Sequence, residues 1–454
     1  MHLQKGTFFM NNSRNDNKTY SIYSSILKGT PFEEQTDDVS YIPYSENTSV
    51  LAQKMPIGRG KTVKNRICYQ PMEGQDGDGN GTPTDLTIDR YLSFARGGAG
   101  LIWVEAVAVS TEGKSNPYQL ELSDSNADVF ASLVNRIKQE GLKSTGAEPT
   151  VIMQMTHSGR YSKPNGFPEP IAAYINPDID KEKIPAVASD DFLDALPDKY
   201  AHSAQLAESC GFDGVDIKCC HGYLLSELLS AFDRPGKYGG NLAGRSKLLK
   251  DVACAVDATL KPGTVRASRL NVFDGYPGKY CFGKSEQEMY DLSEPNKVID
   301  MLEKHGVTLL NVTMGSPYRN PDVSRPYRRG LDMPKTNAIY ALSRIFSGAA
   351  EVKKAHPSLA VVDTGISALA DLAHFAAAGL VSEGMTDFVG FGRMSFAYPA
   401  LAKDILDGNF DAKKVCVACG GCSYLKKNVQ KSGCIIRNRF YTDVYKKFKA
   451  EHAD

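Results

Sequence analysis

Short apolar runs, each followed by a polar loop and a helix-like stretch, recur between about residues 61 and 410 of this 454-residue chain. The runs are RICYQPM (66–72), LIWVEAV (101–107), TVIMQM (150–155), GVDIK (214–218), TVRASRL (264–270), TLLNVT (308–313), AVVDT (360–364) and DFVGFG (387–392). Continuous rather than alternating apolar runs suit parallel strands buried on both faces. The stretches between them carry helix signals. That from Asp191 to Cys210 opens on acidic residues and is followed by Gly211, which suits the C′ position. Eight strand–helix units predict an α/β fold, the TIM (β/α)8 barrel. A doubly wound sheet is the alternative, but no G-x-G-x-x-G follows the first run. Residues 1–60 (NNSRNDNKTY, TPFEEQTDD) form a polar N-terminal arm, irregular or partly disordered, and residues 411–454 a short C-terminal extension.

Composition narrows the function classes. An apolar content of 42% supports a large core, and 53 Lys plus Arg balance 53 Asp plus Glu, so no overall field points to nucleic acid or a membrane surface. No run approaches a membrane span and no signal-peptide apolar region opens the chain, so the cytoplasm is the expected compartment. The stretch from Ala412 to Asp454 breaks the charge balance, with ten Lys/Arg against three acids. A solvated basic face accounts for this; docking of an acidic electron carrier is the functional alternative.

Ten cysteines without an export signal point to a reducing interior, where clustered thiols bind metal or do chemistry. Cys416, Cys419, Cys422 and Cys434 read C-x2-C-x2-C-x11-C. Four thiolates converging from one short loop suit a cubane iron–sulfur cluster. A structural zinc usually takes two separated C-x2-C knuckles or a Cys/His mixture, and stands as the alternative beside unligated thiols.

In a TIM barrel the functional groups sit at the C-terminal ends of the strands. After the fourth run, Lys218, His221 and Tyr223 crowd around Gly222. Lys218 and His221 could grip a carbonyl oxygen and Tyr223 could give up a proton; an ordinary βα loop is the plainer account. On the third run Gln154 points inward, where a flat polar partner such as a flavin edge, or neighbouring backbone, would satisfy its amide. After the seventh and eighth runs, Gly365, Gly392 and Arg393 offer backbone N–H groups and a cation to an anion. The segment Asp76–Gly81 imitates an EF-hand loop, but Thr87 takes the place of its final Glu, so a flexible Gly/Asp loop is expected.

These elements, in this order, resemble the Old Yellow Enzyme family, the NADH:flavin oxidoreductases. The motifs are KNRICYQPMEG, LIWVEAVAV, MQMTHSGRYSKP, GFDGVDIKCCHGYLLSELLSAFDRPGKYGGNLAGRSKLL, SRLNVFDG and GFGRMSFAYP. The four-cysteine tail resembles the iron–sulfur branch typified by 2,4-dienoyl-CoA reductase and trimethylamine dehydrogenase, without the FAD- and NAD-binding domains that follow in the reductase. The resemblance implies FMN and a [4Fe-4S] cluster, with Cys416, Cys419, Cys422 and Cys434 as ligands. It places Pro71 and Met72 against the flavin ring, Glu73 where the family usually has a flavin-tuning Thr or Cys, and Gln154 at the pyrimidine edge. Arg269 falls near flavin N1, and Gly365, Gly392 and Arg393 at the phosphate. Tyr223 matches the proton donor and His221 the second carbonyl-binding position. Lys218 takes the first such position, where better-known members carry His or Asn.

The implied function is reduction of a C=C bond in an unsaturated carbonyl-type small molecule, with electrons from NAD(P)H or a flavodoxin- or ferredoxin-like donor. An amine dehydrogenase of the trimethylamine type, or an electron-transfer subunit, is the alternative. The single Trp103 argues against the aromatic bowl of an amine site. Arg319, Arg325, Arg328 and Arg329 hint at an anionic substrate or a surface ion-pair network. A homo-oligomer is compatible with all of this.

Overall fold

The computed structural model describes residues 16–35, 40–328, 330–331 and 333–452. Each of the eight apolar runs overlaps one barrel strand: β1 (Ile67–Tyr69), β2 (Leu101–Ala108), β3 (Thr150–Thr156), β4 (Gly214–Cys219), β5 (Val265–Phe273), β6 (Val307–Met314), β7 (Ala360–Val362) and β8 (Val389–Phe391). Hydrogen-bonded neighbours run β7-β6-β5-β4-β3-β2-β1-β8, and every pairing is parallel. A parallel bridge between Val362 and Phe388 closes the ring. The fold is the TIM barrel that the pattern predicts.

Seven of the intervening helices are α1 (Asp85–Arg96), α2 (Ala127–Thr145), α3 (Leu196–Ser209), α4 (Lys247–Thr259), α5 (Ser293–Lys304), α6 (Ala338–Ala355) and α7 (Ala373–Ser382). The helix expected from Asp191 is broken. A short helix ends at Asp194 and α3 begins at Leu196 with Pro197 in its first turn, where the missing N–H costs nothing. No helix among the described residues is long and apolar enough to cross a membrane.

An apolar plug including Val63, Leu101, Trp103, Ile152, Val265 and Phe388 fills one end of the barrel. Buried polar side chains bond one another between the strands. Gln70 Nε2 donates to the Asp363 carbonyl at 3.0 Å, and Asn311 Nδ2 to Gln70 Oε1 at 2.8 Å. Gly390 packs against this layer; a Cβ there would lie 1.8 Å from Gln70 Nε2 and 2.4 Å from the Asp363 oxygen. Gly390→Ala should therefore cost about 1–3 kcal/mol by overpacking, read as an earlier urea midpoint; an unmoved midpoint would mean that Gln70 gives way freely.

The arm's residues 1–15 and 36–39 lie outside the described residues. Its described part contributes Tyr20, Tyr23, Ile26 and Leu27 to the main core. The Asp76–Gly81 loop is anchored at its first residue and exposed at Gly79 and Asn80. Asp76 is buried and ion-paired with Arg90, which also pairs with Glu105, and Glu105 accepts the Gly74 N–H at 2.8 Å.

Candidate active site

The end of β1 carries Pro71, Met72 and Glu73 into the mouth of the barrel, and Glu73 is buried at the centre of a polar network. One carboxylate oxygen lies 3.6 Å from Lys218 Nζ on β4 and accepts the Tyr223 hydroxyl at 3.3 Å. The other lies 2.9 Å from Lys426 Nζ and accepts the Ser115 hydroxyl at 3.3 Å. Burial alone would raise the Glu73 carboxyl, but the ammonium groups of Lys426 and Lys218 overcome it and pull it down to about 2. Glu73 is thus ionised at neutral pH. Burial pulls Lys218 the other way, down to about 8 against the opposing pull of Glu73.

The loop after β4 turns sharply, with His221 and Gly222 both left-handed at φ 65° and 72°. That conformation is uncommon for a non-glycine residue, though histidine is among the types that take it more readily. Burial, then the positive charges of Arg269 and Lys218, keep the His221 imidazole neutral. Tyr223 follows, 1% exposed, with Lys218 Nζ 3.8 Å from its ring centroid. Burial and then the Glu73 charge raise its hydroxyl well above the ordinary phenol range, so it stays protonated. Its oxygen lies 2.9 Å from that of Tyr318, whose ring stacks on Tyr161 at 4.2 Å. Cys219 and Cys220 are buried and held as thiols by burial.

On the neighbouring strands Gln154 Nε2 donates to Asp216 at 2.6 Å, beside the Trp103 N–H at 2.9 Å and the Arg269 backbone N–H at 2.6 Å. Lys218 and Arg269 are register partners across β4 and β5. Beyond β7, Gly365 takes φ 95°, and Gly392 and Arg393 follow β8. Arg393 donates to the Pro326 carbonyl at 2.6 Å, but its Nη1 is buried without a partner. Arg325 Nε and Arg269 Nε are orphaned in the same way. Arg325 is lowered by burial and then by the like charge of Arg393. Two guanidiniums, that of Arg393 buried and that of Arg325 partly so, thus keep unused donors that an anion could take up. The other loop arginines divide. Arg319 stacks 3.6 Å over Tyr276, Arg328 donates to the Ile26 and Ser25 carbonyls, and Arg329 lies outside the described residues.

All four cysteines of the extension line one cavity, together with Arg393. No three of their sulfur atoms lie within 4.8 Å of one another. A single tetrahedral zinc with Zn–S near 2.3 Å would need sulfurs about 3.8 Å apart. The loop is seated on the barrel, since Cys416 N–H points at Met394 Sδ at 3.1 Å. Gly330 approaches so closely that a Cβ would lie 2.4 Å from the Cys419 carbonyl oxygen.

Three members of the network were not singled out from the sequence as site residues: Ser115, Tyr318 and Lys426. Lys426 sits on α8 (Gly421–Lys427), one helical turn after Cys422. That spacing was the available signal; the surrounding run of basic residues masked it as a solvated face.

A family model described as the NADH:flavin oxidoreductase / NADH oxidase family matches residues 53–411. The NADPH dehydrogenase of Halalkalibacterium halodurans is 30% identical over 300 residues, which cover 64% of this chain and 80% of that protein. The NADH oxidase of Thermoanaerobacter brockii is 27% identical over 370 residues, 79% of this chain but only 51% of that protein, so the chain spans about half its length. A solved structure of 2-naphthoyl-CoA reductase with 2-naphthoyl-CoA superposes with a TM-score of 0.71 at 22% identity, over 87% of this chain and 58% of that one. The barrel, the loop after β4 and the matched segment agree: the chain belongs to the NADH:flavin oxidoreductase / NADH oxidase family.

Proposed function

We propose that the chain is an FMN-dependent ene-reductase, reducing a C=C bond conjugated to a carbonyl-type group, with electrons relayed through a [4Fe-4S] cluster. The observation that carries this reading is the convergence of Lys218, His221 and a protonated Tyr223 at one barrel mouth. In the proposed division, residues 61–410 hold the flavin and 411–454 the cluster.

The residues fit the flavin. The orphaned donors of Arg393 and Arg325, with the backbone at Gly365 and Gly392, suit its phosphate. Pro71, Met72, Gln154 and Arg269 would face its ring system. Bound and reduced, FMN supplies the hydride; the chain supplies orientation and charge. The donor set also fits a cubane: four thiols around one cavity. The basic extension would receive electrons from a flavodoxin- or ferredoxin-like protein, or NAD(P)H would reduce the flavin directly.

Lys218 and His221 would bind the substrate's carbonyl oxygen, the ammonium stabilising charge as it develops there. Tyr223 would protonate the α-carbon. The test is to mix anaerobically reduced protein with 2-cyclohexen-1-one and follow flavin reoxidation. Rapid reoxidation with formation of cyclohexanone supports the reading. Inertness towards enones, with turnover of tertiary amines, would replace it by an amine dehydrogenase.

The pH dependence has a defined sign. Lys218 is an ammonium below about 8 and neutral above it, so kcat/KM should fall as pH rises through that value. Glu73 favours the charged form, so Glu73→Gln should move this limb to lower pH. A limb that stays in place would separate it from Lys218.

A further inference from the structure

We propose that Tyr318, oriented by Lys426 of the C-terminal extension, returns a proton to Tyr223 after each reduction. The inference rests on the ene-reductase reading, in which Tyr223 gives its proton to the substrate.

Tyr223 is 1% exposed, so a tyrosinate formed there has no direct route to water. Its oxygen lies 2.9 Å from that of Tyr318, whose side chain is 41% exposed. One residue is buried and the other reaches the surface, and their hydroxyls touch. Either could donate in that bond, and Glu73 decides which, because the Tyr223 hydroxyl is given to its carboxylate at 3.3 Å. Lys426 Nζ lies 5.6 Å from the Tyr318 ring centroid, and an ammonium has three donors and no acceptor. With the Tyr223 O–H directed at Glu73 and no acceptor on Lys426, the Tyr318 O–H points at Tyr223. Glu73 holds the ammonium at 2.9 Å. The Gln75 amide donates to the Lys426 carbonyl at 3.1 Å, and Ser432 N–H to the Gly74 carbonyl at 2.7 Å. These bonds fasten the extension to the loop after β1. Stacking on Tyr161 fixes the plane of the Tyr318 ring.

The protons and electrons balance. The substrate gains a hydride from the reduced flavin at its β-carbon and a proton from Tyr223 at its α-carbon. The Tyr318 O–H bond then breaks as the Tyr223 O–H bond re-forms, and Tyr318 recovers its proton from solvent. Lys426 keeps its proton throughout and is a positioning residue. The cluster-bearing segment thus also serves the proton side of the reaction.

Single-turnover and steady-state rates separate this role from direct participation in the reduction. Holoenzyme reduced without oxygen is mixed with 2-cyclohexen-1-one, and steady-state turnover is then driven by reduced methyl viologen. Tyr318→Phe should reoxidise in a single turnover within about twofold of wild type. Its steady-state rate should fall at least about tenfold, after a burst of about one product per chain. Imidazole buffer, a small proton donor, should restore the steady state. Lys426→Met should also lose steady-state turnover, restored by imidazole, and Lys426→Arg should retain it. Wild-type steady-state rates in Tyr318→Phe would overturn the proposal. So would an equal, buffer-insensitive loss in both phases. A wild-type single turnover in Tyr223→Phe would instead remove the ene-reductase reading on which the proposal stands.

Discussion

Replacing Tyr223 by Phe should slow reoxidation of the reduced protein by an enone about 10²–10⁴-fold, the usual worth of a positioned general acid. The substitution removes one oxygen from a fully packed ring, so flavin and iron content should stay at wild-type levels. What it takes away is specific. The hydroxyl is kept protonated by burial and by Glu73, and it is the one phenol of the site stacked under the Lys218 ammonium at 3.8 Å. Lys218 and His221 remain in the variant, so enone binding should weaken little and the loss should appear in the rate constant at saturating enone. Stopped-flow measurement over a range of enone concentrations separates the two. A variant that reoxidises at the wild-type rate would show that another group supplies the proton.

Cys419→Ala should have a comparably large effect by a different route. It removes one of four converging thiols, and cubane ligation requires four. Iron and sulfide should be lost while flavin is retained, because the proposed flavin residues lie on the barrel. The damage should also reach the active site. The helix bearing Lys426 begins at Gly421, inside the cysteine segment, and its short core of Leu425, Ile435 and Tyr441 is small. Metal binding and folding are coupled in segments of this kind. Without the metal, Lys426 should withdraw from Glu73, which then keeps Lys218 as its one ammonium partner in the network and takes up protons more readily. Viologen-driven turnover should fall at least about tenfold, and the pH profile of the single turnover should gain a new limb at acid pH. Full iron in this variant would refute the ligand assignment; lost iron with an unchanged pH profile would show that Lys426 keeps its place without the metal.

What could be read from the sequence follows from where periodicity is strong. Each of the eight runs overlaps a strand because a strand buried on both faces leaves an unbroken apolar signature. The break at Ala195 was less legible, since Pro197 fits a helix's first turn as readily as it interrupts one. Asp76, at the start of the Gly/Asp loop, is ion-paired with Arg90, a contact that no local pattern announces. The site was half legible. Lys218, His221 and Tyr223 lie together in the chain, and the structure keeps them together. Glu73 and Lys218 stood out separately as departures from the family pattern; 3.6 Å apart in the fold, they answer one another as anion and cation. Lys426 could not be found in this way, because its bonding partner Gln75 lies 351 residues away. A basic run reads as a solvated face until the fold folds one member inward.

The most direct test of the account is the cofactor content of protein purified without oxygen, with flavin, iron, acid-labile sulfide and zinc quantified on the same sample. Such protein should carry about one FMN, four iron and four sulfide per chain, with no stoichiometric zinc. Zinc without sulfide would make the cysteine segment a structural site, and protein that takes up no flavin would contradict the reading of the barrel mouth itself.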